Sequence, residues 1–465
     1  MNHIEAPIIV GLDIGTTKIA AIAGRKNEHG KLEILGFGRA NSNGVQHGQV
    51  LNIDLTIKAI NQALANCCAS NPDLEIKEVY VGIAGHHIKS LQTRGDIVRQ
   101  DAEFEIQRAE IDLLIENQRK TFIPAGDQII DVIPQDFHVD NIHSIKDPVG
   151  YNGVKVGANF HIITGDKNAI RNINRAVTKS GLITKDLVLQ PLASAGAVMS
   201  DVDFEAGVVI LDIGGGTSDI AVFHDGILKH TAVIPFGGEN ITSDIKQGLG
   251  VLKTQAEAMK VQFGSALANE ANANAYITIP GLKGMPPKEI SVKNLSQIIQ
   301  ARMSEILDFV VYHLKQVGLD NKSLNGGVIL TGGGSQLKHL VQLTEYATGL
   351  NARIGLPTEH LAPNHIEELK KPMYSTCLGL ILKGYDDYEN SYKEFLGTFK
   401  QVEVPGILKN DFVKPPTQEQ QQAIETPVKA TSVEVGNRKK KIGSVWDKMK
   451  HTLIEMFKEE EDKII

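Results

Sequence analysis

Apolar positions follow two kinds of pattern along the 465-residue chain. One is a short continuous run rich in β-branched residues, the pattern of a buried strand. Such runs flank Asp13 within 8–22 and stand at 31–38, 77–84, 187–189, 208–211, 220–223 and 327–331. The other is a helical stripe. It predicts helices at 54–70, with Ile57, Ile60, Leu64 and Cys67 on one face and Asp54 as N-cap, and at 168–180, 191–199, 242–248, 253–263 and 373–385. The longest, at 296–317, lines up Ile299, Met303, Ile306, Val310 and Leu314 and stops at Gly318. Strands alternating with helices read as α/β lobes. Between 85 and 166 a charged helix (102–119) and strands at 127–139 and 153–164 read instead as a small α+β insertion in the first lobe.

Two stretches share one pattern. Residues 208–223 read VVILDIGGGTSDIAVF: a strand ending in Asp212, a turn of Gly214, Gly215, Gly216 and Thr217, and a second strand. Glycine lacks a Cβ, so its N–H groups can close on a ligand, and an acid at the strand end suits a metal-bound polyphosphate. The same core recurs near the N-terminus as Leu12-Asp13-Ile14-Gly15-Thr16-Thr17-Lys18. Two copies so far apart suggest a duplicated domain whose hairpins grip one nucleotide from both sides. No GxxxxGK[ST] follows a strand, and no helix follows the glycines, so neither a P-loop nor a Rossmann fingerprint fits. A third cluster, Gly332, Gly333 and Gly334, ends the strand at 327–331 and leads into a helix expected from about 335 to 348, where a phosphate or nucleoside could approach. The helices at 191–199 and 373–385 are rich in small residues, as close-packed connectors between lobes require.

Composition narrows the partners. A net charge of -7 argues against general nucleic-acid binding. Three cysteines, Cys67 and Cys68 adjacent and Cys377 apart, form no disulfide framework, so a reducing compartment is expected. No secretory leader and no membrane-spanning run is read. His86, His87, His138 and His161 match no metal-ligand spacing and are expected to be surface or core histidines.

Globular patterning ends near 400. Residues 404–437 contain scattered prolines and a Gln-rich tract and read as a disordered linker. About 40 residues of such chain reach roughly 35 Å. Beyond the basic run 438–441, the stretch 443–458 places Val445, Trp446, Met449, Leu453, Met456 and Phe457 on one helical face, with Lys448 and Lys450 off it. Trp and lysines at an apolar stripe favour an interfacial membrane helix. Its apolar side chains offer roughly 10 kcal/mol gross before ordering and association costs, so one copy binds weakly and several linked copies bind well.

The order of these features resembles the actin/sugar-kinase/heat-shock ATPase superfamily, and within it the FtsA family. The stretches carrying the resemblance are GLDIGTTKIAA, GVKVGANFHIITG, LDIGGGTSDIAVF, ITSDIKQGLG with AEAMK, GVILTGGGSQL, YSTCLGLILKG and the terminal GSVWDKMKHTLIEMFK. The resemblance implies an actin-like two-lobed α/β fold. Its parts would be the first lobe at 1–84, 167–205 and 371–398, with the insertion at 85–166. The second lobe would take 206–240 and 320–370, with a small subdomain at 241–319. A linker (399–442) and a membrane-targeting helix (443–465) would follow. It implies ATP and Mg²⁺ as ligands. Asp13 and Asp212 would hold Mg²⁺ through water. Gly15, Thr16, Thr17 and Lys18 would meet the phosphates from one side, and Gly214, Gly215, Gly216 and Thr217 from the other. Gly238, Glu257 and Lys260 would contact the nucleoside, and Gly332, Gly333 and Gly334 would lie along it. Gln190 and Asp219 would position the attacking water. A glutamine is a poor base, so hydrolysis is expected to be slow at best. The implied role is a cell division protein that polymerises on the inner membrane, tethers FtsZ through the FtsZ C-terminal tail, and recruits later division proteins. A pilus or secretion adaptor and an MreB-like filament protein are the nearest rivals. A sugar kinase would need a sugar site with a base. A chaperone would need a substrate domain for which the linker and short helix leave no room.

Overall fold

A computed structural model describes residues 6–100, 103–281, 284, 286–319, 322–363 and 366–390. The membrane-helix residues Val445, Trp446, Lys448, Met449, Lys450, Leu453, Met456 and Phe457 lie outside the described residues.

Two five-stranded sheets share one plan. The first runs Ile183–Leu189, Glu78–Ile83, Ile9–Ile14, Lys18–Lys26, Leu32–Asn41. The second runs Ala352–Ile354, Gly327–Thr331, Val208–Ile213, Ser218–His224, Ile227–Ile234. In each, an antiparallel hairpin adds a third antiparallel strand on one side and two parallel strands on the other. The central strands are buried along their whole length, which is why their sequences are continuous apolar runs rather than alternating ones.

Two helices lie between the sheets, Gln190–Val198 and Ser375–Glu389. Small residues let them touch. A Cβ on Gly379 would fall 1.7 Å from the Ala193 carbonyl oxygen, and one on Gly11 would fall 2.3 Å from the carbonyl of Cys377. Around them Ile9, Tyr80, Ala195, Ile210, Ile329 and Tyr385 form a core shared by both lobes.

A third, antiparallel sheet orders Lys89–Val98, Lys155–Asp166, Asp127–Val139 and Ile142–Ile145, and the helix Arg108–Gln118 packs on it. It has its own core around Leu114, Val156, Phe160 and Ile162. It also rests on the edge strand Ile227–Ile234 of the second lobe. There the Gln135 amide donates to the Leu228 carbonyl at 2.5 Å, and His161 Nε2 lies 2.9 Å from the Thr231 hydroxyl. Covering an edge strand removes a row of unpaired backbone groups.

Several expectations are corrected. Asn52, not Asp54, caps the helix Ile53–Cys68, accepting from the Leu55 N–H at 3.0 Å. The charged helix begins at Arg108, and the Glu110 carboxylate accepts from the Gln107 N–H at 2.8 Å at its start. The helix expected from 242 begins at Gly238. The helix expected from 296 begins at Val292. After Gly332 the chain takes a 3₁₀ turn, Gly333–Gln336, and the helix starts only at Leu340. The third glycine cluster is therefore a turn beside a strand end and not a helix N-terminus. The strand Lys89–Val98 carries no strand signal in its sequence, which is polar and only weakly alternating.

Candidate nucleotide site

The two hairpins have the same geometry. In the first, Ile14 pairs with Ile19 and Asp13 with Ala20. In the second, Ile213 pairs with Ser218 and Asp212 with Asp219. Each turn is closed by one backbone bond, Gly15 N–H to Lys18 at 3.0 Å and Gly214 N–H to Thr217 at 2.9 Å. The turns face and touch each other. A Cβ on Gly215 would sit 2.5 Å from Thr17 Cγ2, and one on Gly216 would sit 2.5 Å from Thr16 Oγ1. The segment before the first-lobe helix joins them. Gly48 N–H donates to Thr16 Oγ1 at 3.2 Å, and His47 Nδ1 lies 3.2 Å from the Gly216 carbonyl.

Asp13, Gly15, Thr16, Thr17 and Lys18 line one wall of the resulting cleft, and Asp212, Gly214, Gly215, Gly216 and Thr217 the other. Gln190, Gly332, Gly333, Gly48, Met373 and Thr376 complete it. Gly332 has φ +80, and a Cβ there would meet Asp212 Oδ1 at 2.3 Å, so only glycine lets this turn sit against the carboxylate. Gly334 packs on Ile213 and does not line the cleft. Gly238, Glu257 and Lys260 stand one peptide away. Gly238 N–H donates to Gly214 O at 2.9 Å, and Lys260 Nζ reaches Gly238 O at 2.9 Å and Glu257 at 2.8 Å. Glu257 also accepts from the Thr242 hydroxyl.

The two acids are held differently. Asp13 accepts from Lys18 Nζ at 3.1 Å and from the Gln190 amide at 3.0 Å. Burial disfavours the Lys18 ammonium, but the Asp13 carboxylate outweighs it and holds the lysine above its usual range. Asp212 forms no ion pair among the described residues, although the charge of Lys18 favours its ionised form. It accepts from the Ser194 hydroxyl at 2.6 Å and the Thr376 hydroxyl at 3.2 Å, one from each connector helix. Burial pushes its pKa up; Asp13 adds to the rise, and the two hydroxyls oppose it. Asp219 is 2% exposed, and burial, then the neighbouring Asp212, drive its pKa well above the carboxylate range. Its Oδ2 accepts from Thr217 Oγ1 at 3.0 Å, while its Oδ1 is buried with no hydrogen-bond partner.

These features fit a metal-bound polyphosphate. Gly15 in the first turn and Gly214, Gly215 and Gly216 in the second leave backbone N–H groups without side chains over them, and the two buried carboxylates of the second hairpin form no ion pair among the described residues. Among the described residues no group of three or more His, Cys, Asp or Glu could hold a metal. Mg²⁺ is usually held by one or two carboxylates with phosphates and waters, so such a group is not required. Sequence reasoning missed Ser194, Thr376, Gly48, His47 and Met373. Ser194 and Thr376 were legible only as the hydroxyls within otherwise apolar, small-residue helices, where a buried hydroxyl needs a partner.

Residues 209–379 match the family model described as cell division protein FtsA, and residues 85–164 match the SHS2 domain inserted in FtsA. The chain is 37% identical over 370 residues to the cell division protein FtsA of Neisseria meningitidis, covering 80% of this chain and 88% of that protein. With FtsA of Escherichia coli K12 it shares 32% over 397 residues, 84% of this chain and 93% of the other. Among solved structures it is similar to a PilM–PilN type IV pilus biogenesis complex, with TM-score 0.60, 16% identity, and coverage of 81% and 98%. It is also similar to MreB5 of Spiroplasma citri bound to ADP, with TM-score 0.51, 13% identity, and coverage of 83% and 99%. At these identities the solved structures establish the actin-like fold alone.

Proposed function

The chain belongs to the FtsA family of actin-like cell division proteins, and on that premise we propose that it binds Mg²⁺ and ATP between its hairpins, polymerises on the membrane, and tethers FtsZ there. The observation that carries the nucleotide reading is the pair of hairpin turns facing each other, each with a buried aspartate at its strand end. Gly15, Thr16, Thr17 and Lys18 would hold the phosphates from the first lobe, and Gly214, Gly215, Gly216 and Thr217 from the second. Asp13 and Asp212 would hold Mg²⁺, which neutralises phosphate charge when bound. Glu257, Lys260 and Gly238, joined to the second hairpin through the Gly238 N–H bond to Gly214, would contact the nucleoside, and Gly332 and Gly333 would lie along it. Gln190 donates its amide to Asp13 and is not a base, and Asp219 is buried behind Thr217 outside the cleft lining, so neither is placed to take a proton from an attacking water. Slow hydrolysis follows from this, and ATP serves assembly more than turnover.

The tether would lie in the C-terminal stretch. No helix among the described residues is long and apolar enough to cross a membrane. The amphipathic pattern at 443–458 offers peripheral attachment at the cytoplasmic face of the inner membrane. The subdomain at 241–319 would take the FtsZ C-terminal tail, and the inserted sheet would meet neighbouring copies and later division proteins. The test is sedimentation with anionic vesicles, with and without residues 443–465, adding purified FtsZ. The full chain should carry FtsZ down and the truncated chain should not. If neither chain pellets, the membrane role fails; if the full chain pellets without FtsZ, the anchor stands and its cargo is different.

A further inference from the structure

The helix Lys167–Lys179 buries Ala169, Ile170, Ile173, Ala176 and Val177 against the first lobe. Its outer side carries Lys167, Arg171, Arg175 and Lys179, spaced four apart. On an α-helix that puts successive cations about 6 Å apart, over about 18 Å. All four are exposed, and none forms an ion pair among the described residues. They border a groove of about 430 Å³ whose other lining residues are Gln128, Ile170, Asn174 and Thr178. A second hollow of about 440 Å³ shares Gln128 and Lys167 with it. That one adds Arg119 and Lys120 as cations, and Ile123, Pro124 and Ile129 as apolar surface. Its carboxylate, Asp127, is already paired by Lys89 at 3.0 Å. Arg119 is paired with Glu116 at 4.0 Å and with Asp131 at 3.9 Å, so on a chain of net charge -7 the unneutralised positive charge is concentrated on the four cations of the helix.

We propose that this groove binds an acidic peptide segment of a partner protein. An extended strand rises about 3.3 Å per residue, so acids at alternate positions stand about 6.6 Å apart and match the cation spacing. Arginines pair carboxylates bidentately. The apolar floor gives the intervening side chains a surface that a flat layer of lipid headgroups would leave unfilled. No aromatic residue lines the groove along the helix, which offers bases no stacking surface there. The site shares no lining residue with the cleft between the hairpins.

The test titrates the full chain with a fluorescein-labelled peptide alternating Glu and Thr, followed by anisotropy at low and high salt. Saturable binding should weaken with salt and fall at least about tenfold in Arg171→Glu/Arg175→Glu. Lys322→Glu, exposed on the second lobe and outside both hollows, should leave it unchanged. Thermal melting checks that the variants fold, and Arg171→Gln/Arg175→Gln replaces the reversal if that variant unfolds. Absent binding, or binding insensitive to both variants, overturns the proposal. So does a dependence on Arg171 and Arg175 that appears only for phosphatidylglycerol vesicles or single-stranded RNA.

Discussion

The two hairpins have one backbone and opposite electrostatics. The first neutralises its strand-end acid internally, because Lys18 stands at the turn position that Thr217 occupies in the second. The second has no cation there and carries a further acid, Asp219, where the first has Ala20. Its charge rests on hydroxyls from both connector helices and from its own turn. A duplicated scaffold can thus place a self-contained ion pair on one side and a cation-seeking pair of carboxylates on the other. The difference also ties the second hairpin to the helix crossing at Gly379, since Ser194 and Thr376 bond each other at 3.0 Å as well as Asp212.

Removing the lysine that distinguishes the first hairpin should have the largest effect. Lys18→Met leaves Asp13 buried with only the Gln190 amide and should cost about 3–5 kcal/mol in urea unfolding. A loss below about 1 kcal/mol would mean the hairpins are equivalent after all. Next comes the hydroxyl support of the second hairpin. Ser194→Ala/Thr376→Val strips Asp212 of both donors and should cost about 2–4 kcal/mol by the same assay. It should exceed the effect of Gln190→Leu, after which Asp13 keeps its lysine.

A gain of stability that grows as pH rises is expected from Asp219→Asn in the nucleotide-free protein, because the amide cannot ionise in its buried place beside Asp212. The unfolded chain titrates this acid near 3.8, whereas the folded chain holds the proton to a higher pH. Between those values the folded state binds more protons, so Asp219 destabilises the fold progressively as pH rises. Unfolding midpoints measured between pH 4.5 and 7 should show this slope reduced in Asp219→Asn; an unchanged slope would exclude Asp219 as its source. The smallest effect is expected at Lys260→Met, about 1 kcal/mol, since its ion-pair partner Glu257 is half-exposed and well solvated without the lysine. A calorimetric nucleotide titration of the same variant asks whether that rim also meets the nucleoside.

Local order was legible in the sequence. Continuous β-branched runs marked the central strands, because a strand buried on both faces has no polar side to alternate with. The repeat of Leu-Asp-Ile-Gly marked two hairpins, since a turn approached closely by another group excludes side chains. Gly318 marked the end of the long helix, where the chain turns left-handed at φ 73. What joins distant segments was not legible. Neither Ser194 nor Thr376 carries a local signal for Asp212, because their contacts span 18 and 164 residues and exist only once the connector helices cross. The cap at Asn52 and the delayed helix after Gly334 were decided by side-chain reach and by packing on Ile213. The docking of the inserted sheet on the strand Ile227–Ile234 arises because that edge needs a cover, and the cover comes from another part of the chain. Sequence patterning thus determined which elements form and what chemistry they carry. The tertiary structure decided which acid is neutralised, by which partner, and which sheet edge is closed, because charge compensation and burial depend on neighbours that only folding brings together.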